Sequence, residues 1–111
     1  MNINFVIADY TNPLHAKDVI ALLDKYARDP MGGNAPIDPE VASNLAEKLA
    51  AFPTALSVIG YLQQDNQEPK PVALANCFMG FSTFKGKPLI NIHDCYVDES
   101  IRGLHVGQKL L

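Results

Sequence analysis

The chain has 111 residues, 48% of them hydrophobic and 19% charged, which suits a single folded domain over 1–111 and is too apolar for a disordered segment. Nine basic against twelve acidic residues leave a net charge of −3, which argues against the basic stripe of a nucleic-acid binder. No run approaches the roughly 18 apolar residues of a membrane helix, and Met1 to Asn4 carries neither a basic region nor a cleavage site, so the expectation is a soluble, cytoplasmic protein with no membrane partner.

The first element is a β-rich run, Ile3 to Ala8, closed by Asp9-Tyr10-Thr11-Asn12. Asn12-Pro13 then opens a helix, with asparagine as cap and proline at the first helical position. Leu14, Val19, Leu22, Leu23 and Tyr26 give that helix one apolar face, with His15 on its solvated side. It should end before Asp29-Pro30, since the residue before a proline is pushed out of helical space. Asp29 to Pro36 is dense in turn formers and reads as a loop. A second helix starts at Asp38-Pro39-Glu40, carries Val41, Leu45 and Leu49 along one side, and stops at Phe52-Pro53.

Three strands follow: Ala55 to Leu62, Val72 to Ser82 with an interruption at Gly80, and Leu89 to Val97. Gln63 to Lys70 and Phe84 to Lys87 are the turns between them. Short connections force an antiparallel meander, so the fold class is α+β, in the order β-α-α-β-β-β, with two helices covering one or both faces and a third helix opening near Val106. A compact sphere of this length has a radius of gyration of about 13 Å. Cys77 and Cys95 lie in strand-like runs without a second pair at metal spacing, so they read as reduced, buried thiols and no metal is expected. Phe78, Phe81 and Phe84 read as core or pocket wall, and Tyr26, Tyr61 and Tyr96 as packing residues with a polar tip.

The last segment carries the chemistry. After the strand ending at Val97 come an acidic turn, Asp98-Glu99, and the run Arg102-Gly103-Leu104-His105-Val106-Gly107 leading into an apolar-faced helix. Glycines keep side chains clear, so consecutive backbone N–H groups and the positive end of the new helix can cradle a phosphate. This segment resembles the acetyl-CoA signature of the GNAT acetyltransferase superfamily, Gln/Arg-x-x-Gly-x-Gly/Ala between a strand and a helix. Arg102 and Gly107 fill its first and last positions, and His105 stands where the middle glycine falls. The element order also matches, and the runs Asn76 to Phe84 and Pro88 to Asp94 look like a branch of small-molecule acetyltransferases similar in layout to the diamine enzymes.

The resemblance implies acetyl-CoA as cosubstrate and a small-molecule amine as acceptor. Main-chain groups of Tyr96 and Val97 would pair with the pantetheine arm. Arg102, Gly103, Leu104, His105, Val106 and Gly107 would serve the pyrophosphate, with Arg102 either bracing the turn, approaching a phosphate or pairing with Asp98 or Glu99. Met31, in the loop between the helices, and Asn91 would line the acceptor. Transfer is direct, so a base must deprotonate the ammonium. Simple alternation places Asn91, His93, Cys95 and Val97 on one face of the fourth strand and Ile90, Ile92, Asp94 and Tyr96 on the other. His93 is the candidate base, with Asp94 joining it only if a bulge redirects it. A complete family domain continues past Leu111, so the expectation is an N-terminal portion of such an enzyme. The alternative is a non-catalytic module that self-associates, as a homodimer, through the open edge of its fourth strand.

Overall fold

The computed structural model describes residues 2–102. Its elements are β1 (Asn2–Ile7), α1 (Pro13–Arg28), a 3₁₀ turn (Pro30–Gly32), α2 (Pro39–Ala51), β2 (Ala55–Gln63), β3 (Lys70–Ser82), β4 (Lys87–Val97) and a second 3₁₀ turn (Glu99–Ile101). The strands form one antiparallel sheet in the order β1-β2-β3-β4. The architecture is α+β, as the order of apolar runs and turns predicts.

The helix starts are built as their sequences dictate. Asn12 Oδ1 accepts from the Leu14 and His15 amides at 2.9 and 3.3 Å, and Asp38 Oδ1 from the Glu40 amide at 2.9 Å, each with proline next in line. Asp29 ends α1 and then caps the following turn, its Oδ1 accepting from the Met31 amide at 3.0 Å. Gly32 is required in that turn, because a Cβ there would lie 1.8 Å from the Tyr26 carbonyl oxygen. Asp24 ties the loop back to α1 by accepting from the Ile37 amide at 3.0 Å.

Both helices lie on one face of the sheet. Val19 and Leu22 of α1 pack with Ile59, Leu74 and Tyr96, while α2 packs against α1 and buries no side chain fully. On the opposite face Leu62, Val72 and Ala73 bury Ile101, with Ile3, Phe5 and Val97 around them. Three expectations need correction. β3 runs through Gly80 without a break, since Gly80 stays paired with Leu89. Phe81 and Phe84 are exposed instead of packed, because Phe81 faces away from the helices and Phe84 sits at the tip of the β3–β4 hairpin, which extends beyond α1. That extension also gives a radius of gyration of 14.5 Å, above the compact value.

Candidate functional site

The register of β3 with β4 decides the geometry. Asn76 pairs with Asp94, but the next residue, Cys77, pairs with Ile92, so His93 is an extra residue on β4. Paired residues share a face, and Asn76 and Cys77 point to opposite ones. Ile92 and Asp94, two residues apart, therefore lie on opposite faces. Simple alternation fails here. Asn91, His93 and Asp94 come together on the face that carries the helices, whereas Cys95 and Val97 join Ile90 and Ile92 on the other. The bulge that Asp94 needed is present.

His93 sits edge-on to Phe78 with ring centroids 5.8 Å apart, and Phe78 meets Phe52 edge-on at 5.7 Å. Asn91 lies across Gly80, where an added Cβ would come within 2.7 Å of its Nδ2. Asp94 is held by a chain of hydrogen bonds through the core. Asn76 Nδ2 donates to Asp94 Oδ2 at 3.2 Å, and Ser57 Oγ donates to Asn76 Oδ1 at 2.6 Å. Ser57 has a single proton, so the Tyr10 hydroxyl, 2.7 Å from Ser57 Oγ, must be the donor there. Burial pushes the Tyr10 phenol up, which keeps that proton in place. Ser57 and Asn76 are both buried, and no fully buried side-chain polar atom among the described residues lacks a partner.

A second group of candidate residues meets at the other end of the strand. Met31, Tyr96, Val97 and Arg102, with Tyr26, Asp29 and Cys95, line an open cleft of about 270 Å³ where α1 ends beside β4. Arg102 braces this corner. Its Nε donates to the Val97 carbonyl at 2.9 Å, one terminal nitrogen donates to Asp29 Oδ2 at 2.8 Å, and its guanidinium lies 5.7 Å from the Tyr96 ring centre. The partner is Asp29 and not the neighbouring Asp98 or Glu99, because the chain reverses after Val97 and returns Arg102 to the end of α1. Arg102 in turn holds the Asp29 carboxyl below the usual range. Asp98 is engaged elsewhere, by Lys25 at 3.2 Å and by the Ser100 amide and hydroxyl.

Gly103, Leu104, His105, Val106 and Gly107 lie outside the described residues. Cys77 is buried as expected, but Cys95 is exposed, since no described residue covers it; both thiols are free, and desolvation pushes both up, which disfavours a nucleophilic role. His15 is partly buried and accepts from the Asp9 amide through Nδ1 at 3.0 Å, in place of pointing to solvent. Among the described residues no three His, Cys, Asp or Glu side chains converge to hold a metal, and no helix is long and apolar enough to cross a membrane. Tyr10, Ser57 and Asn76 were not candidates from sequence. The available signal was a lone polar residue in each of two apolar runs, Ser57 in Ala-Leu-Ser-Val-Ile and Asn76 in Ala-Leu-Ala-Asn-Cys.

Set against solved structures, the fold has many counterparts. An integron cassette protein from the mobile metagenome of Vibrio cholerae superposes with a TM-score of 0.73 at 19% identity, over 99% of this chain and 64% of that one. A GNAT family acetyltransferase from Staphylococcus aureus gives 0.71 at 13% identity, over 99% and 73%. The chain has the GNAT acetyltransferase fold. AAC(6')-Iy, solved with the bisubstrate analogue CoA-S-monomethyl-acetylneamine, gives 0.71 at 12% identity, over 99% of this chain and 67% of that one. The chain thus spans about two thirds of these GNAT-fold proteins. No protein-family model matches the sequence, and no curated protein matches it significantly.

Proposed function

We propose that this chain forms the N-terminal, acetyl-CoA-binding part of an N-acetyltransferase that acetylates a small amine. The observation that carries the reading is the bulge at His93. It sets an imidazole and a carboxylate side by side on one face of the strand whose far end forms the open cleft at Tyr96, Val97 and Arg102.

The residues present fit acetyl-CoA. β4 is an edge among the described strands, so it turns N–H and C=O groups outward toward an amide-bearing arm, with the Val97 carbonyl already accepting from Arg102. Met31 and Tyr96 add apolar wall, and Arg102 adds positive charge beside that edge. Bound there, acetyl-CoA supplies the activated acetyl group. The protein's own part is to prepare the amine. An ammonium has no lone pair, so His93 or a water held by it takes a proton, and Asp94, fixed by Asn76, favours the cationic ligand nearby. Phe52 and Phe78 form an apolar side wall against which an alkyl or ring portion of the acceptor packs.

The test is acetyl transfer with a panel of small amines by the full enzyme of which this chain forms the N-terminal part, compared with its His93→Ala variant, since the 111 residues alone should turn over little or not at all. The expected loss in kcat/KM is about 10²- to 10⁴-fold, with the thermal unfolding midpoint unchanged because His93 is exposed. Unaltered transfer would remove His93 from the mechanism. A second reading is self-association, favoured by Met79, Phe81, Ile90 and Ile92, which lie exposed on the face opposite α1 and α2. Calorimetric titration of CoA separates the two readings: heat at micromolar CoA supports transfer, whereas silence with concentration-dependent dimerisation supports the module.

A further inference from the structure

A further cleft among the described residues is remote from the site above. It lies at the β1 edge of the sheet, between the first turns of α1, β1 and the segment Glu68 to Pro71, and encloses about 500 Å³, within the range of small-molecule sites. Val6, Leu14, Pro69 and Pro71 make its apolar walls. Asp18 borders it and is only 6% exposed. Its Oδ2 accepts from the Tyr61 hydroxyl at 2.6 Å, and burial together with that bond pushes the Tyr61 phenol up, so the hydroxyl stays a neutral donor.

Among the described residues Asp18 therefore has a hydrogen-bond partner but no countercharge. It enters none of the ion pairs among the described residues; Lys17 also borders the cleft and pairs with neither Asp18 nor Glu68. Oδ1 accepts no hydrogen bond among the described residues, and it is not fully enclosed, since every fully buried side-chain polar atom described has a partner; Asp18 lines the cleft. A buried carboxylate without a cation is unfavourable, and charges in such positions are ordinarily paired. His15 adds an aromatic wall. Its Nδ1 accepts from the Asp9 amide, and its ring lies 6.4 Å from that of Tyr61, leaving π-faces near the place a cation would occupy. Glu68 brings a second carboxylate to the rim.

We infer that this cleft is a second binding site, for a small primary alkylammonium ion, with the ammonium on Asp18 and the alkyl chain between Leu14 and the two prolines. It requires neither acetyl-CoA nor His93, so it stands or falls separately from the transfer reading.

The experiment is a titration of the protein with n-butylammonium chloride, followed by amide NMR shifts, with sodium chloride and sodium butyrate as matched controls. Saturable shifts centred on Leu14, Asp18 and Tyr61, absent with both controls, are the expected result. Asp18→Asn retains an acceptor for Tyr61 and should weaken binding about ten- to a hundredfold. Shifts that appear equally with the controls, that centre on β4, or that survive Asp18→Asn at full affinity overturn the site. Should Asp18→Asn fail to fold, Glu68→Gln on the exposed loop decides: about two- to fivefold weaker binding supports the site, and unchanged binding overturns it.

Discussion

The two halves of β4, on either side of His93, differ in their relation to solvent, although Cys95 is exposed in the second half too. Before the bulge, Leu89, Ile90 and Ile92 are 38%, 56% and 48% exposed, although this is the more apolar half. Beyond it, Tyr96 is 8% exposed, packed against Val19, Leu22, Ile59 and Leu74, and even Asp94 is partly covered. Hydropathy does not decide burial here; cover does, from α1 over Tyr96 on one face, while no described element covers Ile90 and Ile92 on the other. That helix crosses the sheet with its C-terminal turns over the end of β4 and leaves the hairpin bare. Reversing the inward and outward sequence at the seam between the halves lets the second half keep its core register while Asn91 and His93 turn toward the helices.

The strongest way to break this contrast is a pair of truncations. Tyr96→Ala removes a core ring and should cost about 3–5 kcal/mol in urea unfolding, as for other large aromatic-to-alanine changes. Ile92→Ala, half exposed already, should cost no more than about 1 kcal/mol. Equal losses would mean that the hairpin half is covered in solution, which would favour self-association over an open face.

A smaller effect belongs to the polar chain that reaches Asp94. Asn76→Ala strands the buried Ser57 hydroxyl and releases the Asp94 carboxylate, for an expected loss of about 1–3 kcal/mol. If the transfer reading holds, its kinetic signature is a raised KM for the amine without a matching fall in kcat, because a positioning carboxylate is loosened while His93 stays. A pure stability loss with unchanged KM would restrict the Tyr10–Ser57–Asn76 chain to a structural role.

How much of this was readable beforehand follows from the range of each interaction. Asn12-Pro13 and Asp38-Pro39 announce the helix starts because a cap bonds within three residues. The meander was equally plain, since short turns leave no other pairing. The bulge at His93 was not, because an extra residue exists only relative to the partner strand and leaves no mark on the period of β4 itself. Nor was the pairing of Arg102 with Asp29, which joins residues 73 positions apart and depends on where the chain turns after Val97. Acidic neighbours in sequence, Asp98 and Glu99, were the natural guess, and the fold gives Asp98 to Lys25 instead.

That assignment yields the finest expected effect, and it probes the packed end of β4 alone. Desolvation works to raise the Asp98 pKa, but the Ser100 hydroxyl and amide and the Lys25 ammonium outweigh it and bring it to about 2, below its ordinary 3.8. A carboxyl lowered on folding stabilises the protein above its unfolded value, and that contribution fades as pH falls from near 3.8 through about 2. Asp98→Asn keeps a side-chain oxygen for the Ser100 amide but loses the charge. At pH 7 it should cost only about 0.2–1 kcal/mol, since Lys25 is half exposed and the pair is screened. The difference between variant and parent should narrow from pH 4 downward and vanish below pH 2, whereas Ile92→Ala should show a difference independent of pH. A gap between Asp98→Asn and the parent that persists into strong acid would show that the residue acts by its shape as a cap and not by its charge.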